Sequence, residues 1–195
     1  MNRLLKNFKL LFNLLHGPDT QTFVPTFNNH PVNLKNRSYL LCRALITDIP
    51  ELVKLRQQVF PQETAWDRKV FTSELKNTQE KLYLLLRFND QLVAFIGTDF
   101  NPKQHDVHIT SLAVAENFQH QGLATFLLKV VKEIAQQRDY QTISLEVRLS
   151  NKSAQQLYTD FGFICLGLTK EYYQSNHEDA INMQYKIKKE SKKNE

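Results

Sequence analysis

Apolar positions along this chain change their period several times, and each change marks an expected element. Residues 38–45, 81–88, 92–100 and 107–114 are apolar-rich runs of strand length, with Asn89 and Asp90 between the second and the third. An Asn-Asp pair tolerates positive φ, so those two runs predict a hairpin. In residues 48–59 the spacing shifts toward helical. Asp48 is the expected cap, Glu51 lies three residues on, and Pro50 is tolerated in the first turn. A second helix is predicted from Asp67 to Leu75 and a third from Gly122 to about Arg138. A strand over 142–149, a helix over 151–160 and strands over 163–168 and 180–186 complete the pattern. The order β-α-α-β-β-β-α-β-α-β-β predicts an α/β domain with a mixed central sheet and helices on both faces.

The first 37 residues read differently. Leu4, Leu5, Phe8, Leu11, Phe12 and Leu15 fall at helical spacing, Arg3, Lys6 and Lys9 lie elsewhere on the wheel, and Gly17-Pro18 ends the run. The run is too short to span a bilayer. Basic residues penetrate it and no A-x-A site follows, so a secretory signal is not expected. Two readings remain for residues 1–16: a helix docked on this protein or a partner, or a basic amphipathic helix resting on a membrane surface. The stretch PDTQTFVPTFNNHPVN reads as a linker or irregular arm. The expected organisation is an extension over 1–37, a domain over 38–187 and a basic tail over 188–195.

Composition adds bounds. With 195 residues, 42% of them hydrophobic and 23% charged, the chain fits one globular domain with one good core. Cys42 and Cys165 are far apart and lie in apolar strand-like runs, which predicts buried free thiols in a reducing cytoplasm. A formal charge of +5 suits a phosphate-bearing partner, and part of the excess is the tail KIKKESKKN. That tail reads as a solvated end, with an RNA-binding arm as the alternative.

The chemistry concentrates where the strand over 107–114 enters the third helix through LAVAENFQHQGLA. Gln119, then Gly122, then the small Ala124 precede the helix. Amides at a helix N-terminus lack intrahelical partners and sit at the positive end of the dipole, and glycine lets an anion reach the main chain. Neither G-x-G-x-x-G nor G-x-x-x-x-G-K-S/T occurs. Q-x-x-G-x-A after a strand resembles the acetyl-CoA signature of the GNAT acetyltransferases. LEVR-x-SN, LY-x-x-x-GF and a late HEDA are similar to the ribosomal-protein-alanine N-acetyltransferase branch of that family, and the likeness covers roughly Ser38 to Ile187.

The resemblance implies a GNAT fold and acetyl-CoA as co-substrate, with no metal. Gln119, His120, Gln121, Gly122, Leu123, Ala124 and Thr125 would hold the pyrophosphate, mainly through backbone N–H groups. Leu112, Ala113 and Val114 would pair with the pantetheine arm, and the Val114 amide would face the thioester carbonyl, a donor commonly worth ~3 kcal/mol in such a step. Asp106 stands where the resemblance implies a glutamate base, with His108 on the same strand face as an understudy. Tyr158 would be the general acid beside the coenzyme sulfur. Asn151 would bond the pantetheine or simply cap its helix. Phe118 stands where the branch offers another tyrosine, and the family often has arginine at the positions of Gln119 and His120.

Trp66, Glu146, Arg148, Tyr172, Tyr173, His177, Glu178 and Asp179 are the acceptor-side candidates. For Glu146 and Arg148 an intramolecular pair is the alternative. His105 points away from Asp106 and His108, and adjacent residues of an extended HED cannot converge on one ion, so no metal site is expected. The implied activity is transfer of acetyl to a protein N-terminal α-amine, with alanine of a small-subunit ribosomal protein as acceptor and no direct need for nucleic acid. A broader acetyltransferase for lysines or small amines, and an idle coenzyme-binding module, are the alternatives.

Overall fold

The computed structural model describes Val24, residues 27–63 and residues 66–188. The amphipathic run at residues 1–16 and nearly all of the basic tail lie outside the described residues. Eight strands form a single sheet in the order β1-β2-β3-β4-β5-β6-β8-β7. They are β1 (His30–Leu34), β2 (Arg37–Arg43), β3 (Lys81–Phe88), β4 (Gln91–Asn101), β5 (Asp106–Val114), β6 (Thr142–Arg148), β7 (Ile164–Tyr173) and β8 (Glu178–Lys186). Every neighbouring pair is antiparallel except β5 and β6, so the sheet is mixed as the element order predicts.

Among the described residues four α-helices cover the two faces: α1 (Ile49–Val59), α2 (Arg68–Lys76), α3 (Leu123–Gln137) and α4 (Lys152–Phe161). On one face, Leu127, Val131 and Ile134 of α3 and Tyr158 of α4 pack with Leu84, Ile96, Val107 and Ile109. On the other, Leu52 and Leu55 of α1 and Phe71 of α2 pack with Tyr83, Leu85, Phe95 and Ala113. Alternate residues of β3 and β4 therefore enter opposite cores, which is why both strands read as almost continuous apolar runs.

The local signals mostly hold. Asn89 and Asp90 both take positive φ between β3 and β4. Asp67 caps α2 by accepting from the Lys69 and Val70 amides. Asp48 does not cap α1 in that way. It closes a short 3-10 turn over Ile46–Asp48 by accepting from the Leu45 amide at 2.7 Å, and it also takes a bond from Arg87.

Two expectations fail. Residues 30–34, read as an irregular arm, form β1 and pair with β2 around a turn in which Lys35 and Asn36 both have positive φ. The Pro at position 31 hides this strand, and it is tolerated because β1 is an edge. Cys42 is buried, but Cys165 is exposed, because β7 is the other edge and carries Ile164, Leu166 and Leu168 into solvent. Both cysteines are free thiols.

A bulge in β5 governs the middle of the sheet. Gly97 pairs with Ser111 but Thr98 pairs with Ile109, so Thr110 is the extra residue. Tyr83 supports it. Its hydroxyl donates to Glu74 at 2.9 Å and lies 3.2 Å from the Thr110 hydroxyl, while its ring covers Gly97. A Cβ on Gly97 would stand 2.4 Å from two ring carbons, so only glycine fits beneath this tyrosine. Gly97→Ala is predicted to destabilise the protein by ~2 kcal/mol, the scale of overpacking a closed core. Urea unfolding measures it, and an unchanged midpoint would show that the ring is not seated there.

Candidate functional site

Beyond the bulge, β5 and β6 part. Their parallel ladder runs from Asp106↔Thr142 to Ile109↔Leu145 and stops. Glu146, Val147 and Arg148 go on pairing with β8, and Leu112, Ala113 and Val114 with β4, so a fork opens between two strands of one sheet. The Ala115 amide donates to the Val93 carbonyl at 2.8 Å. Alternation along a strand then turns the Ala113 amide toward β4 and the Leu112 and Val114 amides into the fork. Their side chains stay in the cores, Leu112 and Val114 on the α3 side and Ala113 on the other. Main chain thus faces the opening while the side chains hold the strand in place.

The wide end of the fork meets the start of α3. Gly122 precedes the helix with φ 87°, and nothing lies within 4 Å of where its Cβ would be. No side chain caps the first turn, so the amides of Leu123, Ala124 and Thr125 face that open space. His120 also takes positive φ. Gln119 turns back and donates from Nε2 to the Val114 carbonyl at 3.1 Å, and Gln121 donates to the Asn117 carbonyl at 2.9 Å. An uncapped helix start, an open glycine position and adjoining strand amides fit the phosphates and amide arm of a coenzyme A thioester. The side chains of Gln119 and Gln121 shape the loop and leave its open face to backbone. Asn151 caps α4 through Oδ1 at 3.1 Å from the Ala154 amide, leaving its Nδ2 as the half that can still donate.

Below the fork runs a row of polar side chains on the face covered by α1 and α2. Asp106 accepts from the Thr142 hydroxyl with one oxygen and from the Ser144 hydroxyl with the other, both at 2.5 Å. Ser144 Oγ is 2.9 Å from His108 Nδ1, and His108 Nε2 is 3.1 Å from Glu146 Oε2. The Tyr172 hydroxyl donates to that same Glu146 oxygen at 3.2 Å. Ser144 has a single proton and gives it to Asp106, so it must accept from Nδ1–H. Nε2 faces a carboxylate and carries a proton too. The network therefore favours the imidazolium form of His108. Burial pulls its pKa down, but the Glu146 hydrogen bond and charge and the Asp106 charge outweigh this, for a net rise. The His108 bond in turn holds Glu146 below the usual carboxylate range, against burial.

Asp106 is thus not where the base expectation needs it. It sits at the closed end of the β5–β6 ladder, eight residues and roughly 25 Å of strand from Val114, with both oxygens engaged. The contacts of His108 with Glu146 and Ser144 favour its charged form, which makes it a poor proton acceptor. Glu146 is the carboxylate one residue past the last rung. Tyr158 lies on the opposite face, in the core beneath α4, 8% exposed. Its pKa is pushed well up with burial as the sole cause. Its phenol therefore keeps its proton.

Beyond the end of β6 lies an open pocket of about 360 Å³ lined by Phe60, Pro61, Gln62, Glu63, Arg148, Ser150, Asn176 and Glu178. Arg148 organises it. Nε donates to Glu63 at 2.8 Å, Nη1 to Asn176 and Glu178 at 3.0 and 2.9 Å, and the guanidinium lies 3.7 Å from the Tyr173 ring centroid. Glu178 also accepts from the Ser150 amide at 2.7 Å, and Ser150 and Arg148 bring its pKa down to about 2. Glu146 and Arg148 are both paired, but not with each other.

Four acceptor candidates fall elsewhere or change role. Trp66 packs on Phe71 with the Arg56 guanidinium 4.7 Å from its ring, away from the pocket lining. His177 is 77% exposed. Asp179 fixes the β7–β8 turn by accepting from the Glu171 amide at 3.0 Å and pairing with Lys170. Tyr172 reaches Glu146 rather than lining the pocket. Sequence reasoning misses Phe60, Glu63, Ser150 and Asn176, because loop residues carry no periodicity. Glu63 opens the segment ETAW, and its position there was the signal that could have found it. Among the described residues no three His, Cys, Asp or Glu side chains are placed to hold a metal ion, and no helix is long and apolar enough to cross a membrane.

The comparisons agree with this architecture. The chain is 32% identical over 141 residues to the [ribosomal protein bS18]-alanine N-acetyltransferase of Salmonella typhimurium, covering 70% of this chain and 90% of that protein. It is 27% identical over 160 residues to an N-alpha-acetyltransferase of Sulfurisphaera tokodaii, covering 76% and 93%. The crystal structure of the ribosomal-protein-S18-alanine N-acetyltransferase from Escherichia coli superposes with a TM-score of 0.69 at 27% identity, covering 80% of this chain and 99% of that one. Residues 49–163, over half of the sequence and the part that builds the fork and the helix start, match the acetyltransferase (GNAT) family model, and the chain belongs to that family of N-acetyltransferases.

Proposed function

We propose that the protein transfers the acetyl group of acetyl-CoA to the α-amine of a protein N-terminus, with alanine of a small-subunit ribosomal protein as acceptor. The observation that carries this reading is the fork. A ladder that ends at Ile109↔Leu145 leaves strand amides opposite a titratable side chain, with an anion cradle at one end and an acceptor pocket at the other. The relatives' named activity sets the acceptor class. An α-amine of pKa ~8 is roughly a tenth neutral at pH 7, whereas lysine near 10.4 is below a thousandth, so a weak base suffices for the former.

Acetyl-CoA supplies an activated acyl group and a thiolate leaving group. Leu123, Ala124 and Thr125 would hold its phosphates through their amides, and Leu112 and Val114 its arm. Glu146 stands level with Thr110, two residues from Leu112 and four from Val114. The Leu112 amide is therefore the donor we assign to the carbonyl oxygen, in place of Val114. Glu146 takes the proton that the amine gives up as its nitrogen bonds to the acyl carbon. Tyr158, across the sheet, supplies the proton to the departing sulfur. The two groups act from opposite faces of the gap, one toward the nitrogen and one toward the sulfur.

Three predictions follow from these roles. Glu146→Gln and Tyr158→Phe each lower kcat on the order of 10²-fold, the usual scale for one acid or base. Asp106→Asn costs far less. A kcat loss in Asp106→Asn equal to that in Glu146→Gln would return the base to Asp106.

The second concerns pH. His108 titrates above its ordinary 6.5, and its loss of charge makes Glu146 a stronger base. With kcat measured by thiol release, the rate climbs as pH rises through that ionisation. The ion pair's contribution to stability is complete below 6.5 and fades over the same range, so Tm falls while kcat rises. His108→Asn removes both trends, and a variant that kept the limb would assign it to another group.

The third concerns the acceptor. A peptide beginning with free alanine is acetylated, while the same peptide with a blocked N-terminus is inert even when it contains lysines. Comparable kcat/KM for the two would transfer the activity to lysine side chains.

A further inference from the structure

The cradle at the start of α3 lacks charge of its own. From Gln119 to Leu128 there is no Lys or Arg, and Glu116 precedes the loop. A helix N-terminus offers about half a positive charge. A coenzyme A phosphate end carries several negative charges, so backbone alone leaves the site under-compensated.

The β1–β2 hairpin brings cations to this place from more than eighty residues away. Lys35 Nζ donates to the His120 carbonyl at 3.3 Å, and Arg37 Nη1 donates to the Gln121 side-chain oxygen at 3.1 Å. Both contacts are exposed, and both are to neutral acceptors that a phosphate oxygen would outcompete. The placement is built rather than incidental. Lys35 occupies the turn itself, where it and Asn36 take φ of 44° and 63°. Arg37 lies on the Phe88 ring at 5.7 Å, and Phe88 stacks edge-on against Phe118, immediately before the loop, at 5.7 Å. An aromatic bridge therefore ties the hairpin to the same segment that its two cations touch. The residues that contact Lys35 and Arg37 are those at the centre of the Q-x-x-G motif.

We propose that Lys35 and Arg37 are phosphate ligands of the coenzyme, so that the hairpin supplies from elsewhere in the same chain the positive charge that the loop's Gln119 and His120 do not carry. The inference rests on the acetyl-CoA reading above. On this account the N-terminal strand is part of the coenzyme site rather than a spacer ahead of the domain.

Calorimetry on the full chain tests it, with CoA and 3′-dephospho-CoA as ligands at several salt concentrations. The Lys35→Gln/Arg37→Gln double variant is expected to bind CoA about tenfold more weakly, ~1.4 kcal/mol, with a shallower dependence of Kd on salt. Lys35→Arg is expected to keep most of the affinity. An equal loss for both ligands assigns the two cations to the pyrophosphate, and a loss confined to CoA assigns them to the 3′-phosphate. Either supports the proposal. Wild-type Kd and salt dependence in the double variant, with an unchanged thermal melt, would overturn it. Gly122→Glu serves as the control for the parent reading, because it puts bulk and charge into the cradle itself. Full CoA binding by a folded Gly122→Glu variant would bring down the cradle assignment. Loss there with an unaffected double variant would bring down only the hairpin's part.

Discussion

The arrangement depends on one irregularity, the extra residue Thr110 in β5. Up to Ile109, β5 and β6 make an ordinary parallel ladder. Past the bulge, β5 stays with β4 and β6 stays with β8, so neighbouring strands of a continuous sheet separate without breaking either outer pairing. The fork needs no cavity in the core and no mobile lid. It needs a local register change, and three groups fix that change: the Tyr83 ring over Gly97, the Tyr83 hydroxyl at Thr110 and Glu74 beyond it. Buried Thr98, next to the bulge, adds a bond from its hydroxyl to the Leu82 carbonyl.

Electrostatics then divide the fork's surroundings into two systems. One is the row Asp106, Ser144, His108, Glu146 and Tyr172, in which two carboxylates favour the charged form of the histidine between them. It sets the protonation of the carboxylate nearest the opening. The other is the clamp of Arg148 with Glu63, Glu178 and Asn176, stacked on Tyr173. It joins the α1–α2 loop, the end of β6 and the β7–β8 turn, so three loops that line one pocket share a single guanidinium. Bidentate and stacked geometry of this kind suits arginine and not lysine. Arg56 repeats the device one layer in, buried, bonding Glu63 and the Ser111 hydroxyl beside the bulge.

How much of this was legible in the sequence depends on the kind of signal. The two core faces, the Asn89-Asp90 turn, the Asp67 cap and the glycine before α3 each follow from a local rule, and each appears in place. β1 was hidden by Pro31 and by the polar residues of an edge. The bulge was invisible, because an inserted residue leaves no mark in a run as apolar as Val107 to Val114. Without it, a residue count along β5 selects Asp106 as the base. With the fork in view, that carboxylate lies at the closed end and Glu146 at the open one. Motif likeness alone points to Trp66 and His177, and their side chains go to packing and to solvent.

Leu112 and Val114 meet the opening with main chain, and the start of α3 presents amides that any residue possesses. Selection on such a surface acts on φ and ψ and on the volume of side chains pointing the other way. At the opening itself only a residue that tolerates φ 87° is singled out, at Gly122. Substitutions that keep the core filled leave the recognising atoms untouched. A chain built this way can drift to about a third identity with its relatives and keep the main-chain geometry of its fork, so sequence divergence accumulates in side chains that the opening does not read.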